Sequence, residues 1–239
     1  MKNTRFIFPK ILFLFFPVLM MFSCIKNNNL IEGDAKIRYF QAAVTDTTQN
    51  FFLRGIQSGA STVYGSNSNY IVVAGDSSYT ITSRNINTGV DVASTTQKFD
   101  IGANYSIFYT RTKTTNAPVL NVYKDDVKQN LNVVKLKFIN LGYTLLSDVI
   151  VKDDGEAFPQ FIMKYGDTVS HSVKVTKATK ISFNLQNPIS TQPLLNTLDS
   201  LATNTNTSKS LAITKGLVYY VVLDGSKKGE LQMRLVSAN

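Results

Sequence analysis

Residues 36–40 read KIRYF, and a similar stretch, KLKFI, follows at residues 135–139. In both stretches charged and apolar residues alternate, which is the pattern of a β-strand with one buried face. The two stretches lie about 100 positions apart. The pattern therefore indicates an internal repeat as well as two strands.

The correspondence between the two copies continues along the chain. NFFLRG at residues 50–55 is matched by DVIVKDDG at residues 148–155, and each predicts a strand that ends in a glycine-bearing turn. Later in each copy a glycine precedes a tyrosine by three positions, in the pairs Gly102 and Tyr105, and Gly216 and Tyr219. We therefore expect the same order of strands in both copies.

Each copy also contains two short strands that we predict to pair as a hairpin. In the first copy, residues 70–73 and 78–81 flank a turn of sequence AGD. In the second copy, residues 171–175 and 180–183 flank residues 176–179. Two alternating runs joined by a short polar turn are typical of a β-hairpin.

The number and spacing of the strands predict the fold class. Each copy has about seven short strands, and the last of them are residues 118–123 and residues 230–236. Strands separated by Gly, Asn, Asp and Ser at this spacing are typical of an antiparallel sandwich. We therefore expect an all-β protein with two tandem Ig-like or transthyretin-like β-sandwich domains, at residues 35–124 and 133–239, joined by a polar linker at residues 124–132.

Four segments of the first copy carry a resemblance to a known family. They read KIRYF, YIVVAG at residues 70–75, YTI at residues 79–81 and GANY at residues 102–105. Together they resemble the domain of unknown function 4397 family, which is found in exported bacterial proteins. The second copy, from residue 135 to about residue 236, departs from the pattern because Lys177 and Ala178 replace the Ala-Gly turn. The resemblance implies a β-sandwich envelope protein and assigns no catalytic or binding residue.

The second copy has a long insert at residues 188–208. Its leucines at positions 194, 195, 198 and 201 have helical spacing, which predicts a short amphipathic helix that caps one end of the sandwich. The alternative is a binding loop or a partner-facing helix, since long loops on rigid scaffolds often carry recognition.

The amino-terminal segment has the order of a bacterial lipoprotein signal. A basic lead is followed by an apolar run of about a dozen residues that contains Pro17, and Ser23 immediately precedes Cys24, the only cysteine. The run is too short for a membrane-spanning helix, which needs about 20 apolar residues. We therefore expect a signal peptide at residues 1–23 and lipidation of Cys24. The alternatives are an ordinary secretory signal and a retained anchor.

Lipidation at Cys24 would place the protein on a membrane. A diacylglyceryl group on the thiol and an acyl chain such as palmitate on the new amino terminus would hold it stably, because two or more chains suffice where one does not. Residues 24–34 contain three consecutive asparagines and suit a flexible tether. Ile25, rather than aspartate, follows the cysteine. The expected location is therefore the outer membrane, on its periplasmic face or at the cell surface.

Composition and charge restrict the partners. Removal of residues 1–23 takes away three basic residues and lowers the formal net charge from +9 to +6. The remaining Lys and Arg are scattered, and no zinc pattern or RNA-binding aromatic motif accompanies them. We therefore expect no nucleic-acid partner.

The sequence offers little for catalysis. His171 is the only histidine and lies in a predicted strand, and no Gly-x-Ser-x-Gly motif is present. If Cys24 carries the lipid, the chain has no cysteine nucleophile or thiolate metal ligand. The carboxylate pairs at Asp125 and Asp126 and at Asp153 and Asp154 lack the spacing of a calcium loop. We expect no enzyme activity, no metal and no cofactor.

Two classes of function remain open. The first is a non-catalytic, lipid-anchored cell-envelope protein that presents its two β-domains for structural or adhesive contacts. The second is a carbohydrate- or peptide-binding accessory lipoprotein of a nutrient-uptake system, with the insert as part of its site. Tyr64 and Tyr165 are the candidate ligand contacts, because exposed tyrosines stack on sugars, although each is followed by glycine and also fits a turn. Besides the membrane, the expected partner is a glycan or an envelope protein.

Overall fold

The all-β prediction is confirmed by a computed structural model, which describes residues 33–126, 128–153, 158–174, 180–186, 196–199 and 213–238. These residues form sixteen strands and no helix. No helix in this part of the chain is long and apolar enough to cross a membrane. The strands of the first half are β1 Asp34–Gln41, β2 Gln49–Leu53, β3 Ile56–Gln57, β4 Ile71–Ala74, β5 Ser77–Asn85, β6 Asp91–Phe99, β7 Asn104–Arg111 and β8 Pro118–Asp125. Those of the second half are β9 Val134–Asn140, β10 Val149–Asp153, β11 Phe161–Met163, β12 Thr168–Val173, β13 Lys180–Leu185, β14 Asn196–Asp199, β15 Val218–Gly225 and β16 Leu231–Ser237.

The strands form four sheets of four strands each. The first sheet has the order β4-β1-β7-β8, the second β3-β2-β5-β6, the third β12-β9-β15-β16 and the fourth β11-β10-β13-β14. When eight is added to every strand number, the strand orders of the first and second sheets become those of the third and fourth sheets. The repeat that KIRYF and KLKFI predict is therefore present in the topology. Two pairs depart from the antiparallel arrangement, since β1 lies parallel to β7 and β9 lies parallel to β15.

Each half buries an apolar core between its two sheets. In the first half the ring of Tyr39 in β1 stacks on that of Phe51 in β2, with centroids 4.3 Å apart. In the second half the ring of Phe138 in β9 lies 6.1 Å from that of Phe183 in β13. Full burial of each such side chain contributes about 1.5–3 kcal/mol. These contacts between facing sheets make each half a β-sandwich.

The first and third sheets also pack on each other. Phe40 and Phe108 of the first sheet share a buried apolar cluster with Ile139 and Tyr220 of the third. The ring centroids of Phe108 and Tyr220 are 6.1 Å apart. Residues Gly33–Asn239 consequently form one compact unit, and the division into two tandem domains stays a prediction.

This packing changes the expected environment of the KIRYF stretch. Ile37 and Tyr39 face the first core, as the alternation predicts. Arg38 and Phe40, on the other face of β1, are only 4% and 1% exposed. The expectation of a single buried face is therefore wrong for β1, because the third sheet covers the opposite face as well.

The predicted hairpins do not form. β4 pairs with β1 and β5 pairs with β2, so the two strands lie in different sheets of one sandwich. In the same way β12 pairs with β9, whereas β13 pairs with β10. Gly75 lies where the first connection crosses between the sheets, and a Cβ atom there would overlap with the backbone oxygen of Gly33. The AGD turn therefore serves a close backbone approach and not a hairpin.

The remaining boundaries differ in part from the sequence predictions. β8 continues to Asp125, so the segment that leaves the first half begins two residues later than the predicted linker at residues 124–132. Within the insert at residues 188–208, Asn196–Asp199 forms a strand that pairs with β13, and the predicted helix is wrong there. The rest of the insert, the signal at residues 1–23 and Cys24 lie outside the described residues.

The glycine and tyrosine pairs of the repeat adopt the same arrangement in both halves. The hydroxyl of Tyr105 accepts a hydrogen bond from the backbone N–H of Asp100 at 3.0 Å, and that of Tyr219 accepts one from Thr214 at 3.0 Å. In both cases the tyrosine ties the start of its strand to the backbone five residues earlier. The equivalence predicted from the spacing is thus present in the side-chain contacts.

Candidate functional site

A buried carboxylate organises the contact between the two halves. Asp125, at the end of β8, accepts hydrogen bonds from the hydroxyls of Tyr70 at 2.6 Å, of Ser106 at 3.0 Å and of Tyr220. The guanidinium of Arg38 donates to the hydroxyl of Ser106 at 3.0 Å, and its carbon lies 4.6 Å from the ring centroid of Tyr70. Burial, reinforced by the charge of Asp125, raises the pKa of Tyr70 and of Tyr220. Both hydroxyls therefore remain protonated donors.

A groove opens where the edge strands β6 and β8 of the first half meet the second half. Its volume is about 380 Å³, within the range of about 300–1,000 Å³ that is usual for small-molecule sites. We call it the polar groove, and its lining residues are Thr95, Gln97, Thr112, Val119, Leu120, Asn121, Val122, Tyr123, Tyr165 and Gly166.

The polar groove combines amide and hydroxyl groups with two aromatic rings. Gln97 and Asn121 each offer a donor and an acceptor, and Tyr123 and Tyr165 supply the rings. The hydroxyl of Tyr165 donates to the backbone oxygen of Arg111 at 2.7 Å, which fixes the ring. Burial raises the pKa of Tyr123 to about 12, so that this hydroxyl is neutral at physiological pH. Such a surface can hydrogen-bond and stack on an uncharged polar ligand.

Tyr64, the other candidate contact, lies in a different environment from Tyr165. Its hydroxyl donates to Oε1 of Gln232 at 2.7 Å and to Oδ2 of Asp224 at 3.2 Å, so it joins the two halves. Arg234 pairs with Asp224 at 2.6 Å and lies over the Tyr64 ring, 5.3 Å from its centroid. The structure thus places Tyr165 in the polar groove and does not bring Tyr64 to it, while a ligand role for either remains a prediction.

A second concavity lies beside the end of β8, on the face of the third sheet that is turned toward the first. Its volume is about 190 Å³. We call it the lysine pocket, and it is lined by Asp126, Lys135, Leu136, Lys137, Ser170, His171, Ser172, Val218 and Tyr220. Sequence reasoning did not find this site, because Lys135 and Lys137 read there as the exposed face of a strand.

Strand pairing sets the order of side chains in the lysine pocket. Lys137 is directly opposite Ser170 on one side and Tyr220 on the other. Lys135, one step along β9, is opposite Ser172. Directly opposed residues project to the same face of a sheet, so the two ammonium groups and the two serine hydroxyls share one wall.

His171 also borders the lysine pocket, but its ring points the other way. Adjacent residues of a strand face opposite sides, and the His171 ring stacks on Phe158 with centroids 4.5 Å apart. Its Nε2 atom is buried with no hydrogen-bond partner among the described residues. Desolvation lowers the pKa of His171 and favours the neutral ring. The ring is therefore turned away from the hydroxyls of Ser170 and Ser172 and activates neither of them.

The adjacent carboxylates at the end of β8 have different environments. Asp125 is buried in the contact between the halves, whereas the exposed side chain of Asp126 pairs with Nζ of Lys135 at 2.8 Å. In the described part of the chain no group of three or more His, Cys, Asp or Glu side chains could hold a metal ion. Asp153 is buried at the end of β10, and Asp154 lies outside the described residues.

Comparison with known proteins gives a limited result. No family model matches the chain, and no curated protein is significantly similar to it. Among solved structures, one similar chain is a family 26 carbohydrate-binding module from Eubacterium rectale in complex with maltoheptaose, at 11% identity, with 84% of this chain and 96% of that chain covered and a TM-score of 0.26. Another is a candidate cell adhesion protein from Bacteroides eggerthii, at 9% identity, with 87% and 96% covered and a TM-score of 0.24. At these scores neither similarity bears on the function of this chain.

Proposed function

We propose that this protein is a non-catalytic, lipid-anchored protein of a bacterial cell envelope that presents a rigid β-sandwich surface for structural or adhesive contacts. The observation that carries the proposal is the packing of the first sheet on the third, which joins both halves in one compact unit. Close-packed interiors have low compressibility. Surfaces to which both halves contribute would therefore keep a constant geometry, which suits recognition on a rigid scaffold.

The absence of enzyme activity is part of this proposal. His171 is the chain's only histidine, and its ring stacks on Phe158 in the second core. The hydroxyls of Ser170 and Ser172 belong to the opposite face of the same strand. This arrangement supports a binding protein rather than a hydrolase of the serine type.

The anchor is proposed from the sequence. Cys24 would carry the lipid, and residues 24–34 would separate the folded part from the outer membrane. We further propose that the two halves belong to the domain of unknown function 4397 family, on the strength of the KIRYF and YIVVAG segments.

Adhesion can be measured directly. Beads coated with the lipid-free chain from Asn27 onward should attach to surfaces carrying envelope fractions of the source bacterium or its neighbours. Beads coated with the same chain after heat unfolding serve as the control. Equal attachment of both bead types, or attachment of neither, would contradict an adhesive role for the folded surface.

A second candidate function is carbohydrate binding, and the polar groove is the observation that favours it. Sugar recognition needs planar hydrogen-bonding groups beside an aromatic ring. Gln97 and Asn121 supply the amides, and Tyr123 and Tyr165 supply the rings. The site would then lie at the edge of β6 and β8, and not around Tyr64.

A glycan array with matched variants tests the second candidate. Gln97→Ala removes an amide from the polar groove, whereas Thr96→Ala changes the neighbouring residue, which faces solvent on the other side of β6. We expect Gln97→Ala to weaken glycan binding by roughly fivefold to tenfold, the usual loss for a hydrogen bond, and Thr96→Ala to leave it unchanged. Binding that survives Gln97→Ala undiminished would exclude this groove.

A further inference from the structure

The polar groove and the lysine pocket lie next to each other. The Tyr123 ring, which lines the groove, has its centroid 5.7 Å from Nζ of Lys137, which lines the pocket. The ring of Tyr220 also lies beside Lys137, with its centroid 5.3 Å from the same Nζ atom. A ligand that extends along this seam would pass from uncharged amide and hydroxyl groups to a positively charged recess.

Lys137 is half-buried, whereas most lysine side chains are exposed to solvent. Its Nζ donates to the backbone oxygen of Lys124 at 2.8 Å, and no ion pair of this side chain is found within the described ranges. Burial lowers the pKa of Lys137, with partial compensation from Asp125 and Asp126. A desolvated ammonium that lacks a paired anion gains more from an incoming anion than an exposed lysine does.

Lys135 supplies the second positive charge. Its ion pair with Asp126 measures 2.8 Å, and the Asp126 side chain is 62% exposed. The other carboxylate oxygen of Asp126 accepts from the backbone N–H of Lys128 at 3.1 Å. Because exposed ion pairs contribute little to stability, an incoming anion would compete with Asp126 for Lys135 while Asp126 keeps its contact with Lys128.

Two serine hydroxyls lie on the same wall of the pocket as the two ammonium groups. Ser170 lies opposite Lys137 and Ser172 lies opposite Lys135 on the accessible edge strand β12. Each hydroxyl can donate to the same oxygen atoms that the ammonium groups attract. Charge-assisted hydrogen bonds of this kind are about twice as strong as neutral ones.

We propose that the lysine pocket binds the carboxylate of an acidic sugar residue whose neighbouring residues lie in the polar groove, so that the ligand is an acidic glycan. This inference rests on the proposed carbohydrate-binding function. Lys135 and Lys137 hold the carboxylate, Ser170 and Ser172 donate to it, and Tyr123 lies where the adjacent sugar ring enters the groove.

The test uses the full-length protein, solubilised in detergent, and an array of uronate- and sialate-containing oligosaccharides. Each acidic oligosaccharide is paired with the same compound methyl-esterified at its carboxylates, so that only the charge differs, and sulfated oligosaccharides form a third arm. We expect the free acids to bind about tenfold more tightly than their esters, as one charge-assisted contact provides. Raised salt should reduce this preference.

Variants locate the effect. Lys137→Gln and, separately, Lys135→Gln should reduce or remove the preference for the acid over its ester, and Lys137→Arg should retain part of it. Lys98→Gln is the control, because Lys98 is an exposed lysine paired with Asp76 outside the pocket. Far-ultraviolet circular dichroism shows whether each variant is folded.

The outcomes separate the inference from the function on which it rests. Equal binding of acids and esters, or a preference that survives both lysine variants, would overturn the acidic-glycan inference and leave carbohydrate binding in place. Selective binding of sulfated compounds would overturn the assignment to a carboxylate. No binding of any glycan would overturn the proposed carbohydrate-binding function together with the inference.

Discussion

The buried carboxylate between the two halves gives the sharpest test of how the protein is held together. Asp125 is 7% exposed and accepts hydrogen bonds from Tyr70, Ser106 and Tyr220. The substitution Asp125→Ala removes the acceptor of all three and the negative charge that Ser106 links to the buried Arg38. Removing one partner of a buried charged network costs about 3–5 kcal/mol.

Local alternatives reduce this cost. The hydroxyl of Tyr70 lies 3.3 Å from the backbone oxygen of Ala238, so it can turn there. The hydroxyl of Ser106 already accepts from Arg38, whose Nη1 donates to the backbone oxygen of Ser237 at 2.7 Å. Ser106 and Tyr220 are then the donors left without an acceptor, while the charge of Arg38 keeps its contacts with Ser106 and Ser237. We therefore expect the lower end of the range, about 3 kcal/mol.

Urea unfolding of the lipid-free chain from Asn27 onward measures this loss. With a slope of about 2 kcal/mol per molar urea, the midpoint should fall by roughly 1.5 M. Asp100→Ala is the matched control, because Asp100 is exposed and makes an ion pair with Lys124 at 2.8 Å; its midpoint should stay close to that of the parent chain. If Asp125→Ala and Asp100→Ala shift the midpoint equally, the reasoning about the buried carboxylate is wrong.

Three further predictions concern single groups. Cys24→Ala should abolish incorporation of labelled palmitate and leave the chain unprocessed, and unchanged maturation and membrane attachment would contradict the anchor. Burial lowers the pKa of His171 below its usual 6.5, so its stabilising contribution is present above about 6.5 and is lost as the pH falls through the lowered value. His171→Phe keeps the stack on Phe158 and should make urea midpoints less sensitive to acid, whereas an identical acid dependence would refute this. Burial raises the pKa of Tyr39 and of Tyr123 from 10.0 to about 12, so the free energy of unfolding should decline as the pH rises from about 10 through 12. Part of the tyrosinate absorbance should therefore appear only above pH 10 in an alkaline titration. Ionisation of every tyrosine near pH 10 would contradict this prediction.

Local pattern predicts many of the strands, although about seven are expected in each copy and the described residues form eight in each half. The alternation in KIRYF and KLKFI depends only on the two-residue period of a strand, so β1 and β9 could be placed from the sequence. The spacing of Gly102 to Tyr105 and of Gly216 to Tyr219 likewise reports a local arrangement, in which each tyrosine reaches back five residues.

Strand partners could not be predicted in the same way. The runs at residues 70–73 and 78–81 consist of strand-forming residues and flank a turn, yet β4 and β5 enter different sheets. Alternation determines which side chains share a face of a strand, but it does not determine with which other strand that strand pairs. The close approach of Gly75 to Gly33 is a contact over 42 positions, and nothing local in the AGD turn encodes it.

The candidate site shows the same limit. Tyr165 was found because an aromatic residue beside a glycine is visible in the sequence. No local sequence pattern distinguishes Gln97, Asn121 or Tyr123 from other strand residues. These residues line a groove only because the edges of β6 and β8 meet there. Lys137 reads as a solvent-facing residue until the pairing of β9 with β12 and β15 places it in a pocket.

The all-β character and the repeat can be recognised from the chain alone, because both follow from the spacing of apolar and turn-forming residues. The chain also contains the grounds for expecting a lipid on Cys24. The burial of Arg38 and Asp125 depends on the packed fold, since a charged residue in an alternating strand reads as exposed unless a second surface covers it. The packing of the first sheet on the third supplies that surface, and the desolvation it imposes turns ordinary polar residues into the network between the halves.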